Sequence, residues 1–390
     1  MAKKTFLWLH RWLGLVTGIV VIIVSVTGCI NVFADELKEY FYHDRYFRPV
    51  ENKPVLNFSV LRANAQNALG EKYKISRCEV YPATNRNWVF RASKTNAEAF
   101  GHWNYYKYYY RVYINPVSGK VAYVEDTRNE FFQLVLSLHL NLLLGEHIGG
   151  MITGVSVACF FVILLSGLVI WWPAKWKKKA LKAKVSIKKG TGKKRFNYDL
   201  HTVLGFYVLI PALIICITGL VFAFDWADSS VQYLANGAQV VKKRKIPKST
   251  PNANYNWNAI DDAVAGLLNS YPDADVFSIR FREKKTDPFD VQVRLAEKRT
   301  HEFEWYYFDR NTGKLLLKYG NENLTGGENI RSMNYDLHTG AYSGISTKIL
   351  AFIVSFICAS LPVTGFIIWY NKRKPRPRSV RHKSVSINAS

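Results

Sequence analysis

The sequence predicts an α+β membrane protein: a four-helix transmembrane bundle with two α+β domains on one side of the bilayer, the whole internally duplicated. Three observations carry this expectation. Four apolar stretches without a charged side chain run over residues 13–33, 148–172, 203–224 and 349–370; each has about the 20 residues a helix needs to cross a hydrocarbon core about 30 Å thick. The formal net charge of +24 is concentrated in the segments on one side of these stretches. Finally, short motifs of the first half return in the second.

Taken in order, residues 1–34 form the first membrane helix. Lys3 and Lys4 precede its apolar run as in a signal peptide, but the run exceeds the usual core of about 7–15 residues and reads as a retained helix. Residues 35–137 form the first outer domain, with a short amphipathic helix at 58–68 and strands at 74–81, 88–92, 105–114 and 121–124. Residues 138–173 hold a pre-membrane segment and the second membrane helix. Residues 174–199 form a basic loop, whose stretch from Pro173 to Tyr198 carries eleven Lys or Arg, Lys175 among them, and no acid. Residues 200–225 form the third membrane helix. The second outer domain, 226–336, repeats the pattern with a helix at 257–268 and strands at 276–281, 289–295, 303–308 and 314–319. Residues 337–371 supply the last pre-membrane segment and helix, and 372–390 a basic tail. Turn signals at Asn115-Pro116-Val117-Ser118-Gly119 and Asp309-Arg310-Asn311-Thr312-Gly313 separate strands. A small antiparallel sheet with one helix packed on it follows in each domain.

Charge sets the orientation. Residues 34–148 hold 15 basic against 12 acidic side chains and residues 225–347 hold 16 against 16. The positive excess therefore lies in the N-terminus, the loop and the tail, which the positive-inside rule places in the cytoplasm. Both outer domains then face the other compartment. The basic runs flank membrane helices and accompany no recognition module, so the lipid bilayer, and no nucleic acid, is the expected partner.

Four of the five cysteines, Cys29, Cys159, Cys216 and Cys358, lie in the apolar stretches, and Cys78 is alone outside. A disulfide framework within one outer domain is excluded, as is a Cys-x-x-Cys-His haem attachment site. Cysteine-based zinc and iron–sulfur centres are excluded with them.

The repeat is specific in position. Leu9-His10-x-x-Leu13-Gly14 returns as Leu200-His201-x-x-Leu204-Gly205, and Thr27-Gly28 as Thr218-Gly219. Leu138-His139 returns as Leu337-His338, Ser166-Gly167 as Thr364-Gly365, and Trp171 as Trp369. Tyr113, Gly119 and Lys120 match Tyr307, Gly313 and Lys314 at equal spacing. An internal two-fold along the membrane normal is expected.

The run Tyr113-Ile114-Asn115-Pro116-Val117-Ser118-Gly119-Lys120-Val121, its partner Tyr306 to Leu315, and the ending Ser166-Gly167-Leu168-Val169-Ile170-Trp171-Trp172-Pro173 resemble the PepSY-associated transmembrane family over roughly residues 5–372. Within it, the chain is similar to the inner-membrane ferric-siderophore reductases of ferrioxamine type. That resemblance implies two periplasmic PepSY-like domains on a bacterial inner-membrane protein, two non-covalent haem b groups, and electrons passed outward to release iron from a ferric siderophore.

The histidines carry the chemical side of this reading. His10 and His201 sit at the cytoplasmic ends of helices one and three, His139 and His338 just before helices two and four. Imidazole holds haem iron without a covalent tether, and two histidines at matching depth can supply both axial ligands of one haem. The expected ligand pairs are His10 with His201 and His139 with His338. His147 is an alternative to His139. A histidine at a helix entrance also serves as a plain interfacial polar residue, and four in a repeated pattern argue against that use. The Ser/Thr-Gly pairs either make room for a flat macrocycle or serve close helix packing. His102, His301 and His43 read as surface or structural residues, and the aromatic run 103–110 as half strand, half interface.

Three functions remain. The leading one is a haem-dependent ferric-chelate reductase, an oxidoreductase. It takes electrons from a separate donor, a cytoplasmic reductase or quinol, because no nucleotide or flavin fingerprint is present. The alternatives are a non-enzymatic envelope protein that restrains a peptidase and a quinol-linked haem b protein serving another acceptor.

Overall fold

The apolar stretches become the long helices of the computed structural model, which describes residues 2–173, 176–242, 244–250, 255–282 and 284–373. The tail beyond Arg373, including His382, and Lys175 of the basic loop lie outside the described residues. In chain order the helices that matter here are α1 (Ala2–Val32), α2 (Ala34–Phe41), α3 (Phe58–Leu69), α4 (Phe131–Asn141), α5 (Glu146–Trp171), α6 (Lys193–Asp199), α7 (Leu209–Ala223), α8 (Asp225–Ala235), α9 (Trp257–Ser270), α10 (Gly326–Thr339) and α11 (Ile345–Arg373).

Three of these, α1 from Lys3 onward, α5 and α11, are long and apolar enough to cross a membrane. The third expected span is not straight. Lys193–Tyr207 and Leu209–Ala223 meet at 65°, after a π-helical turn at Leu200–Leu204. The cause is Pro211, the third residue of α7: it has no N–H for the carbonyl of Tyr207, and its ring crowds that carbonyl. Helix α1 packs on α5 and α11, and α7 on α5. A Cβ on Gly18 would lie 3.3 Å from Pro362 Cβ, so the lack of a side chain there permits the α1–α11 approach.

The strands fall within a few residues of expectation: β1 (Arg77–Val80), β2 (Trp88–Thr95), β3 (Tyr106–Ile114), β4 (Val121–Asp126), β5 (Val276–Arg280), β6 (Phe289–Arg294), β7 (Phe303–Phe308) and β8 (Leu315–Gly320). The two expected sheets are instead one. Its order is β4-β3-β2-β1-β5-β6-β7-β8, antiparallel throughout, with the halves joined where Cys78 faces Ile279 and Val80 faces Phe277. Sequence gives no sign of this seam, because each edge strand reads as an ordinary short strand until its partner is known.

Alternation explains the seam's stability. One face carries Val112, Phe90, Cys78, Ile279 and Val291 in register across five strands, each 1% exposed or less. Leu61 and Ala65 of α3 and Ile260 and Val264 of α9 close over them in a single core. Each such large side chain contributes about 1.5–3 kcal/mol by leaving water. The halves also exchange a cap: Asp261 of α9 accepts hydrogen bonds from Ser59 N at 2.7 Å and Ser59 Oγ at 2.6 Å, at the N-terminal turn of α3.

Candidate functional site

The geometry brings the four repeated histidines together as two pairs. The rings of His10 and His201 lie 6.1 Å apart between centroids at an interplanar angle of 87°, and those of His139 and His338 lie 6.1 Å apart at 69°. At about 1.5 Å of helix rise per residue, the step from His10 to Thr27, which touches His139, separates the pairs by roughly 25 Å along α1.

Each imidazole is held in the same way. His10 Nδ1 is 3.0 Å from Ile163 O and 3.1 Å from Ser166 Oγ. His139 Nδ1 is 2.9 Å from Val24 O and 3.1 Å from Thr27 Oγ1. His338 Nδ1 is 3.1 Å from Ile215 O and 3.0 Å from Thr218 Oγ1. His201 Nδ1 is 2.9 Å from Thr364 Oγ1. A carbonyl only accepts, so Nδ1 carries the proton and donates in the first three. The four hydroxyls give their own protons to carbonyls one turn back, so Thr364 also accepts from its histidine. Nε2 is left in every ring as the unprotonated nitrogen with a lone pair, and none has a protein hydrogen-bond partner among the described residues.

The glycines complete each cradle. A Cβ on Gly167 would lie 3.3 Å from His10 Cε1, on Gly365 3.2 Å from His201 Cε1, on Gly28 3.4 Å from His139 Cε1, and on Gly219 3.4 Å from His338 Cε1. The Ser/Thr-Gly pairs thus grip the imidazoles themselves, hydroxyl to Nδ1 and bare backbone to Cε1.

The arrangement fits one metal between two imidazoles. With a metal–nitrogen bond of about 2 Å and about 1.1 Å from nitrogen to ring centre, opposed ligands put their centroids about 6 Å apart. Hydrogen bonding at Nδ1 fixes the tautomer and raises the basicity of Nε2, as in metal-bound histidines generally. Among the described residues no group of three or more His, Cys, Asp or Glu is placed to hold a metal ion. Two protein ligands without further donors suit a metal that carries ligands of its own, as haem iron does.

His147 stands apart from the pairs. Its ring is exposed and pairs with Glu98 at 3.3 Å, so it does not share the contacts of His139. His43 is exposed beside Asp44. His102 is buried, with Nε2 donating to Arg128 O at 2.8 Å, and His301 is buried against Asp336. Trp103 of the aromatic run is exposed and donates to Asn129.

Two supports of the His139–His338 pair escape sequence reading. Asp336, fully buried two residues before His338, accepts from Thr300 N, Thr300 Oγ1 and His301 N, and pairs with His301 Nδ1. It ties α10 to the β6–β7 loop. In the other half, Leu142 and Leu143 follow α4 with φ of 55° and 61°, a conformation costly for leucine. They are held there as Gly101 N and His102 N donate to Leu144 O and Leu143 O. An acid near the repeated Leu-His motif was the one visible signal, and Ser137 stands at its counterpart in the first half.

Comparison with known proteins places this geometry. A family model described as the PepSY-associated TM region matches residues 7–372. No curated protein matches the chain. With nearly its whole length covered by that match and helices able to cross a bilayer, the chain is a membrane protein that belongs to the PepSY-associated TM region family.

Proposed function

We propose that the chain is a di-haem b reductase of the bacterial inner membrane that passes electrons from a cytoplasmic or quinol donor to a ferric chelate of the siderophore class in the periplasm. The observation that supports this best is the repeated cradle: two histidine pairs at a 6.1 Å centroid spacing, every Nδ1 engaged and every Nε2 left for a metal. In this reading the bent pair Lys193–Tyr207 and Leu209–Ala223 counts as the fourth span, the N-terminus and the tail are cytoplasmic, and the sheet is periplasmic.

His10 and His201 would hold one haem near the cytoplasmic face, and His139 and His338 the other near the sheet. Bound there, haem supplies one-electron transfer. The chain's own residues keep the tautomer fixed, set the ring planes, and surround the rings with apolar helix faces. Ser166, Thr27, Thr218 and Thr364 would hold the Nδ1 proton in place and leave Nε2 free to ligate.

The test is a visible absorption spectrum of the purified protein, reduced with dithionite and reoxidised without oxygen by ferric chelates. Bis-histidine haem bands at about two haems per chain, reoxidised by at least one ferric chelate, are expected. A folded, colourless protein made with ample haem would defeat the proposal, and the reading as a peptidase-restraining envelope protein would take its place.

A further inference from the structure

The face of the sheet opposite the core holds an arrangement that the histidines do not explain. Arg111 faces Arg91, Arg91 faces Arg77, and Arg77 faces Arg280, so four arginines stand in register across strands β3, β2, β1 and β5. Register partners in an antiparallel sheet share a face with Cβ atoms about 5 Å apart, and like charges so placed are destabilising. The next row along the same strands is the all-apolar core.

Carboxylates offset part of this charge. Arg91 meets Glu79 at 3.2 Å, Arg111 meets Glu125 at 3.8 Å, and Arg280 meets Asp290 at 3.6 Å. Arg77, in the middle, makes no ion pair within 4 Å among the described residues, although Glu79 is near enough to interact with its charge; its Nε donates to Ser278 Oγ at 2.9 Å. Burial, then Arg91 and Arg280, push its guanidinium down to about 10. Arg111 Nε is buried without a hydrogen-bond partner.

Both ends of the row reach the helices that carry the outer histidines. Tyr109 accepts from Arg91 and Arg111 and packs on Tyr106, whose hydroxyl accepts from Gln133 of α4. At the other end Arg280 donates to Gln292 and lies 4.7 Å over the Trp305 ring. Gln292, Trp305 and Tyr319 line a cleft of about 320 Å³ whose far wall includes Arg331 and Tyr335 of α10. Arg331 lies over Phe222, which packs on His338.

We propose that the row Arg111, Arg91, Arg77 and Arg280 is a binding site for the carboxylate groups of an organic anion whose body occupies the adjoining cleft. Guanidinium forks suit planar carboxylates, and the aromatic wall suits an organic body. The carboxylates belong either to a soluble ferric chelate or to the propionates of a porphyrin held at His139 and His338. The propionate source, and the role of a soluble anion as electron acceptor, rest on the proposed function; the binding of a soluble carboxylate does not.

The experiment uses the full chain in detergent, titrated with citrate, ferric citrate and inorganic phosphate, read by tryptophan fluorescence and thermal unfolding, with haem per chain measured separately. If the anion is soluble, both citrates bind and raise the melting temperature. Arg77→Gln then weakens them by about tenfold, the loss of one charge-assisted contact, at unchanged haem content, and Arg77→Lys recovers part of the affinity. If the anion is a propionate, Arg77→Gln lowers haem content and citrate does not bind the wild type. In anion-free buffer Arg77→Gln loses both the repulsion from Arg91 and Arg280 and the attraction to Glu79, so only the anion-dependent part of the stability difference is read. Unchanged citrate affinity together with unchanged haem content overturns the proposal, as does phosphate binding as tightly as citrate. Neither citrate binding nor unfolding needs haem, so a colourless protein would sink the reductase reading and the propionate source with it, and the citrate titration alone would then decide: no binding of citrate to a colourless wild type overturns the proposal.

Discussion

The two histidine pairs share a ring spacing and a cradle but not a support. His10 and His201 lean on α5 and α11, through Ile163, Ser166 and Thr364, within the apolar helices themselves. His139 and His338 ride on the short helices α4 and α10, which are pressed against α1 and α7 and tied down from outside by loops of the sheet. The inner pair therefore depends on helix packing alone, whereas the outer pair also depends on the sheet being folded.

Removing ligands sharpens this comparison most. His338→Ala and His201→Ala should each lower haem content from about two to about one per chain, with the remaining haem keeping its own spectrum; equal loss of both haems in either variant would break the idea of separate sites. Next comes Asp336→Ala, which strips a buried acceptor from four donors and should cost about 3 kcal/mol or more. In a thermal melt followed by haem absorbance, the outer signal should be lost at a lower temperature while the inner one persists. Simultaneous loss would mean that the pairs share one support.

Acid should act in the same direction. Burial opposes the ionisation of Glu79, but Arg91, Arg77 and Arg111 outweigh it and hold the carboxyl at about 2, below the usual 4.5. The folded value lies below the unfolded one, so this carboxylate stabilises the sheet above about pH 4.5 and that contribution, on the order of 3 kcal/mol, fades as the pH falls towards 2. Glu79→Gln should flatten the acid limb of the stability curve, measured by denaturant unfolding at stepped pH. The smallest effect belongs to His147→Ala, which removes an exposed ion pair worth under about 1 kcal/mol and should leave haem content at the wild-type level.

Sequence made the local structure legible and the assembly much less so. Apolar length located α1, α5 and α11, and alternation with turn residues located all eight strands, because both signals are written within one unbroken local stretch, about 20 residues for a span and a handful for a strand. The bend before α7 was readable in principle from Pro211 but was masked by the unbroken apolar run around it. The seam between β1 and β5 joins residues about 200 positions apart, and no local pattern marks one strand edge as the partner of another. At the candidate site, repetition singled out His10, His139, His201 and His338, and the structure brings them together pairwise. The carbonyls of Val24, Ile163 and Ile215 that orient them are backbone groups with no residue signature. The arginine row was hidden for a similar reason: each member is an unremarkable charged residue of its own strand, and only register aligns them.

The seam has one more consequence. Joining β1 to β5 leaves β4 and β8 as the two outer strands of the sheet, far apart at its ends. A polypeptide containing only one half would uncover a row of unpaired backbone N–H and C=O groups bordered by Cys78 and Val80, the sort of strip that recruits a stray strand. Fusing both halves into one chain supplies that partner at high local concentration and removes the hazard.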